Sequence, residues 1–180
     1  PHHRRLRTEA RRRKGTRRRD LMDFETHHLW TPERPHILVV ACSDGRLQQA
    51  TDEFLQDGLH IDTYDRLYLP GGPGALATGG MEFTRVERAR HELRFLVEAH
   101  QIERLIFVFH GPTLAGGPED ALCADYVRNQ GHRRAASIRA LQMRDAIEVL
   151  KEFATPKVAT AAFYCEVASD YVTRFLPIVP

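Results

Sequence analysis

The sequence predicts an α/β domain over residues 35–180, built on a central, mainly parallel sheet of four to five strands with helices on both faces, and a basic N-terminal arm and lead-in over residues 1–34. Three observations predict it. Short, dense runs of apolar and β-branched residues recur along the chain, as in strands buried on both faces. Between them lie segments with apolar residues at helical spacing. Strands that alternate with helices in this way imply parallel pairing through crossovers.

The first such run, HILVVAC, ends at Cys42 and opens into the polar Ser43-Asp44-Gly45-Arg46. Leu47 to Leu59 has Leu47, Ala50, Phe54 and Leu55 at helical spacing, with Asp57-Gly58 as a stop. Tyr64 to Leu69 reads as a second strand, broken by Pro70-Gly71-Gly72. Met81 to His100 carries Val86, Ala89, Leu93, Leu96 and Val97 on one stripe and charges on the other, a helix. Arg104 to His110, RLIFVFH, reads as the third strand. Pro118–Asn129 and Arg133–Phe153 read as two further helices, since proline suits a first helical turn. Lys157 to Val167 reads as the fourth strand.

At 180 residues, with 42% hydrophobic and 28% charged residues, the chain has the size and composition of one globular domain, which excludes wholesale disorder and fibrous repeats. No apolar run is long enough to span a bilayer and no apolar stretch follows the N-terminal arginines, so a cytoplasmic location is expected. The three cysteines, Cys42, Cys123 and Cys165, are odd in number and widely spaced, as in a reducing compartment rather than a disulfide framework. Residues 1–20 hold nine Arg and one Lys against Glu9 and Asp20, a balance of +8; the chain total of +2 leaves −6 for the rest. Only Leu6 and Ala10 are apolar there, so the arm presents no face to a core. It is expected to be a solvated tail or to meet a partner, either an acidic protein or nucleic acid.

In open parallel sheets chemistry gathers at the carboxyl ends of strands. That rule points to Ser43–Arg46, to residues 71–77 and to the loop after His110. Cys42 and His110 offer a thiolate and an imidazole, both good zinc donors, and Asp44 with Arg46 forms a carboxylate–guanidinium pair beside them. The plain alternative is a small buried cysteine, a capping aspartate and a surface arginine. Gly72-x-Gly74-x-x-Ala77 loosely matches a dinucleotide-binding turn, but the third strand ends in His110 where the ribose would need an acid, and no Gly-Lys-Ser/Thr follows to make a phosphate loop.

At these residues the chain resembles the β-class carbonic anhydrases, whose first motif, C-[S/A]-D-S-R after a buried strand, stands here as Cys42-Ser43-Asp44-Gly45-Arg46. The resemblance runs over about residues 35–167, through the turn Leu69–Gly74, His110 and the helix Arg133–Phe153. It implies a homodimer or a place in a larger assembly. It also implies zinc held by the motif cysteine and by the His and Cys of H-x-x-C, with the Asp as alternate ligand and partner of the Arg. Its reaction is hydration of carbon dioxide to bicarbonate. Cys42, Asp44, Arg46 and His110 carry over, but Thr113 stands where H-x-x-C has its cysteine. A neutral hydroxyl is a poor zinc donor beside a thiolate. Three outcomes follow: Cys42, His110 and Asp44 hold the metal; Cys123 folds back to supply the thiolate; or no metal binds and the chain is a pseudoenzyme serving assembly. The expectation is an altered or lost zinc site with weak or no hydration. Cys165 is assigned to the core.

Overall fold

A computed structural model describes residues 23–79 and 83–180. The arginine-rich run of residues 1–20 and Met81, the predicted start of the second helix, lie outside them. The chain divides into two units, residues 1–32 and 33–180. In the first, residues 23–32 form neither helix nor strand, and Phe24, Leu29 and Trp30 are exposed.

Among the described residues the second unit holds five strands, β1 (Ile37–Cys42), β2 (Asp65–Leu69), β3 (Arg104–Pro112), β4 (Ala159–Val167) and β5 (Thr173–Ile178). It also holds four α-helices, α1 (Gln48–Glu53), α2 (Phe83–Ala99), α3 (Ala124–Gln130) and α4 (Ala135–Phe153). The sheet order is β2-β1-β3-β4-β5, parallel except for β5, which runs antiparallel to β4. The chain steps outward from β1 to β2 and then returns to β3 on the other side. Cys42 and His110 therefore sit at the point where the strand order reverses, where a crevice opens in such sheets.

Both sheet faces are covered, as the unbroken apolar runs require. Leu38, Val40, Leu105 and Phe107 pack under α2 and α4 through Leu93, Ala146, Val149 and Phe153. Val39, Ala41, Ile106 and Val108 face the other way, toward Leu55 and Ile61. On this second face α1 runs into a π-helical turn, Phe54–Gly58, whose Phe54 stacks on Phe175 of β5 at 4.2 Å and meets Phe163 edge-on at 4.9 Å. Bulk on that face thus comes from aromatic rings rather than a second long helix.

Two elements differ from expectation. β5 is an edge strand containing Pro177, tolerated there because an outer strand need not donate every amide. The helix expected over Pro118–Asn129 is interrupted: a 3₁₀ turn at Glu119–Ala121 is followed by Leu122 and Cys123, with ψ of 136° and 113°, before α3 begins. Both residues are buried against Tyr126 and Ile138. The interruption frees the carbonyl of Ala121 from a helical amide, and it is used elsewhere.

Candidate metal centre

Cys42 is the last residue of β1, held in register with Leu69 of β2. The Ser43 amide then donates to the Leu69 carbonyl at 3.0 Å, so the chain leaves the strand in a fixed direction. Gly72, at φ +58°, lies against it: a Cβ at that position would stand 2.9 Å from the Cys42 nitrogen. Only glycine allows this approach together with this backbone angle.

Asp44 caps the 3₁₀ turn Gly45–Leu47, accepting from the Arg46 amide at 3.1 Å. It also accepts from the Arg46 guanidinium, at 2.9 and 3.2 Å from Nε and 2.6 Å from Nη2. Those bonds hold the Asp44 carboxyl below its ordinary pKa and raise that of Arg46. Arg46 Nη2 donates further to the carbonyl of Asp120 at 3.1 Å. The first motif is thereby tied to the turn that precedes Cys123.

His110 lies within β3, in register with Cys165 of β4, and is buried. Its Nδ1 is 3.2 Å from the Ala121 carbonyl. A carbonyl can only accept, so Nδ1 carries a proton and Nε2 is the ring nitrogen turned inward. That Nε2 is buried with no hydrogen-bond partner, one of two such side-chain atoms among the described residues. A buried polar atom left unmatched calls for a ligand.

Cys123 supplies the neighbour. The ligating atoms of Cys42, His110 and Cys123 all lie within 4.8 Å of one another. Tetrahedral zinc, with bonds of about 2.3 Å to sulfur and 2.0 Å to nitrogen, sets such donors about 3.5–3.8 Å apart, so a small inward shift closes the set. The Cys123 thiol donates to Cys42, which lowers the Cys42 pKa and raises that of Cys123. The amides of Asp125 and Tyr126 face the Cys123 sulfur and favour its charged form. The donors fit zinc: two thiolates, one imidazole lone pair, and a carbonyl behind the imidazole that fixes its tautomer.

Of the residues singled out in the sequence, Cys42 and His110 are together in this cluster. Asp44 is engaged with Arg46 and is not one of the three converging donors. Thr113 lies at the end of β3, where its amide donates to the Val167 carbonyl at 2.9 Å and its carbonyl accepts from Gly117 at 3.0 Å. Cys165 is wholly buried in the core, and burial raises its thiol pKa to about 12. From the sequence Cys123 was one of three alternatives for completing the site rather than an assigned ligand, because the spacing from Pro118 to Asn129 suggested a continuous helix. A third cysteine with no disulfide to make was the available signal.

Two recesses adjoin the cluster. A small cavity of about 80 Å³ lies between β1, β3 and α1, lined by Ala41, Leu47, Val108, Tyr68, Asp44 and His110 among others. A wider cleft of about 250 Å³ opens past Arg46, Pro118 and Tyr171, sharing Asp44, Leu47 and His110 with it. The arrangement can hold a divalent metal at the base of a small chamber with an ionised carboxylate at its mouth.

No protein-family model matches the chain. No curated protein matches it either. Solved structures do. The β-carbonic anhydrase isoform I of Trichomonas vaginalis matches at 13% identity over 86% of this chain and 88% of that one, with a TM-score of 0.46. The carbonic anhydrase of Streptococcus mutans matches at 16% identity over the same shares, also at 0.46. A β-carbonic anhydrase of Aspergillus fumigatus matches at 14% identity over 82% of this chain and 78% of that one, at 0.44. The chemistry of the site rests on its own donors.

Proposed function

We propose that this protein binds zinc through Cys42, His110 and Cys123 and catalyses the reversible hydration of carbon dioxide to bicarbonate. The observation that carries the reading is the Cys-His-Cys convergence around a buried, unpartnered imidazole nitrogen. Cys123 takes the part for which Thr113 is unsuited, so Asp44 need not leave Arg46 to complete the ligand set. When bound, zinc supplies the Lewis acidity that brings the ionisation of water close to neutral pH.

The chain's own residues do the rest. Arg46 keeps Asp44 ionised and fixes its orientation, so its carboxylate accepts a hydrogen bond from the reacting water and aims it. Ala41, Leu47 and Val108 give the small cavity an apolar wall suited to an uncharged three-atom substrate. The Ala121 and Asp120 carbonyls hold His110 and Arg46 in place from a single turn.

Elemental analysis of the purified protein, with stopped-flow measurement of carbon dioxide hydration, tests the reading. About one zinc per chain and hydration lost on chelation are expected. A chain free of zinc, and inert after zinc is supplied, would leave the non-catalytic assembly role in its place.

A further inference from the structure

The second buried side-chain atom without a partner among the described residues is the hydroxyl of Tyr68. Tyr68 is on β2, paired in register with Ala41 of β1, and it lines the same small cavity as Cys42, Asp44 and His110. Its neighbour Tyr64 gives its own proton to Asp52 and makes no hydrogen bond of normal geometry to Tyr68. Arg66 lies over the Tyr64 ring at 4.8 Å and 3.5 Å from Asp52, so that cluster is already neutralised. Burial raises the Tyr68 pKa, although the nearby Tyr64 hydroxyl lowers it, so the hydroxyl keeps its proton across the physiological range, buried with no partner at hydrogen-bond geometry.

A buried donor left unmatched is costly, and it is tolerated where a ligand completes it. Besides apolar walls the cavity is lined by Ser43, Gln48 and Thr51, by the Asp44 carboxylate, which accepts, and by His110. A small oxyanion in such a chamber would find in Tyr68 the lining hydroxyl that is buried without a partner. At about 80 Å³ the chamber has room for a ligand of a few heavy atoms.

We propose that Tyr68 is a substrate-binding residue, donating a hydrogen bond from its hydroxyl to an oxygen of bicarbonate, or of carbon dioxide, held in this cavity. The assignment rests on the hydratase reading for the identity of the ligand, but the hydrogen bond is testable apart from turnover. Protein labelled with ¹³C at the tyrosine ring ζ-carbon is titrated with bicarbonate, the Tyr68 resonance being assigned by its absence in Tyr68→Phe. Bicarbonate binding to both proteins is followed in parallel from the broadening of the ¹³C-bicarbonate line, and zinc content is measured in each.

The expected result is a saturable movement of the Tyr68 resonance, with bicarbonate bound about ten-fold more weakly by Tyr68→Phe at equal zinc content, as befits loss of one hydrogen bond to a charged oxygen. A Tyr68 resonance unmoved by bicarbonate, or equal binding by the two proteins, overturns the proposal. If hydration is fast and indifferent to Tyr68→Phe, the tyrosine assignment falls and the hydratase reading stands. If no hydration occurs yet Tyr68 follows bicarbonate, the reverse holds.

Discussion

Cys42 and Cys123 share a single thiol proton, since the hydrogen bond between them lowers one pKa at the expense of the other. A divalent cation displaces that proton and replaces the bond with two metal–sulfur bonds. Cys123→Ser is therefore expected to lower zinc content well below one per chain, read by elemental analysis. Thr113→Cys should leave the content unchanged, because the Thr113 backbone is committed to Val167 and Gly117 at the end of β3. A rise in zinc on Thr113→Cys would instead place the missing thiolate there. Asp44→Asn should keep zinc yet reduce kcat/KM for hydration by about 100-fold, the scale of a lost proton acceptor. At this scale Cys42, Asp44, Arg46 and His110 were legible because each lies in or near a short motif at the end of an apolar strand. Cys123 was legible only as one of three alternatives, because nothing local distinguishes a cysteine that starts a helix from one inside it.

The interrupted segment before α3 shows why elements were read better than their breaks. Periodicity reports the average environment of a dozen residues, and it located β1–β4, α2 and α4. It did not separate the turn Glu119–Ala121 from α3, because the interruption is set by partners distant in sequence: His110 takes the Ala121 carbonyl and Arg46 takes that of Asp120. Gln142 of α4 supports His110 from behind, donating to its carbonyl at 2.9 Å while accepting from the Tyr164 hydroxyl at 3.0 Å, with Arg139 over the Tyr164 ring at 4.2 Å. Gln142→Leu leaves two buried polar groups unmatched and should cost about 2–4 kcal/mol, seen as a fall in Tm of roughly 4–16 °C. Asp145, also on α4, tests linkage. Burial raises its pKa despite hydrogen bonds from Tyr126 at 2.7 Å and Arg144 at 3.0 and 3.3 Å that lower it. An acid with a raised folded pKa favours the fold below its unfolded value of 3.8 and loses that contribution as pH rises through the folded value. Relative to wild type, Asp145→Asn should therefore gain stability as pH rises from 4 to 7 in thermal melts. A constant difference across that range would contradict the raised pKa.

Across the whole molecule, the dense apolar runs made the parallel order readable, while β5 escaped because Arg174-Phe175-Leu176-Pro177 lacks such a run and contains a proline. That strand also bears on assembly. As an edge it presents unpaired backbone groups on its outer side, and Leu176, Val179, Tyr171 and Val172 in and around it are exposed. Exposed edges flanked by apolar side chains are surfaces that proteins cover. The face carrying α1 is closed mainly by Phe54, Phe163 and Phe175 rather than by a second long helix. A self-complementary contact of two chains along this side would protect both the edge and the rings, and two-fold pairing is the commonest closed arrangement. Sedimentation equilibrium is expected to give twice the chain mass of 20.6 kDa at micromolar concentration. Leu176→Lys, a charge introduced on the edge, should shift the equilibrium toward the monomer without altering zinc content, because no donor of the Cys42–His110–Cys123 cluster lies on β5. A wild-type chain that sediments as a monomer, or a Leu176→Lys dimer as tight as wild type, would remove β5 from the interface.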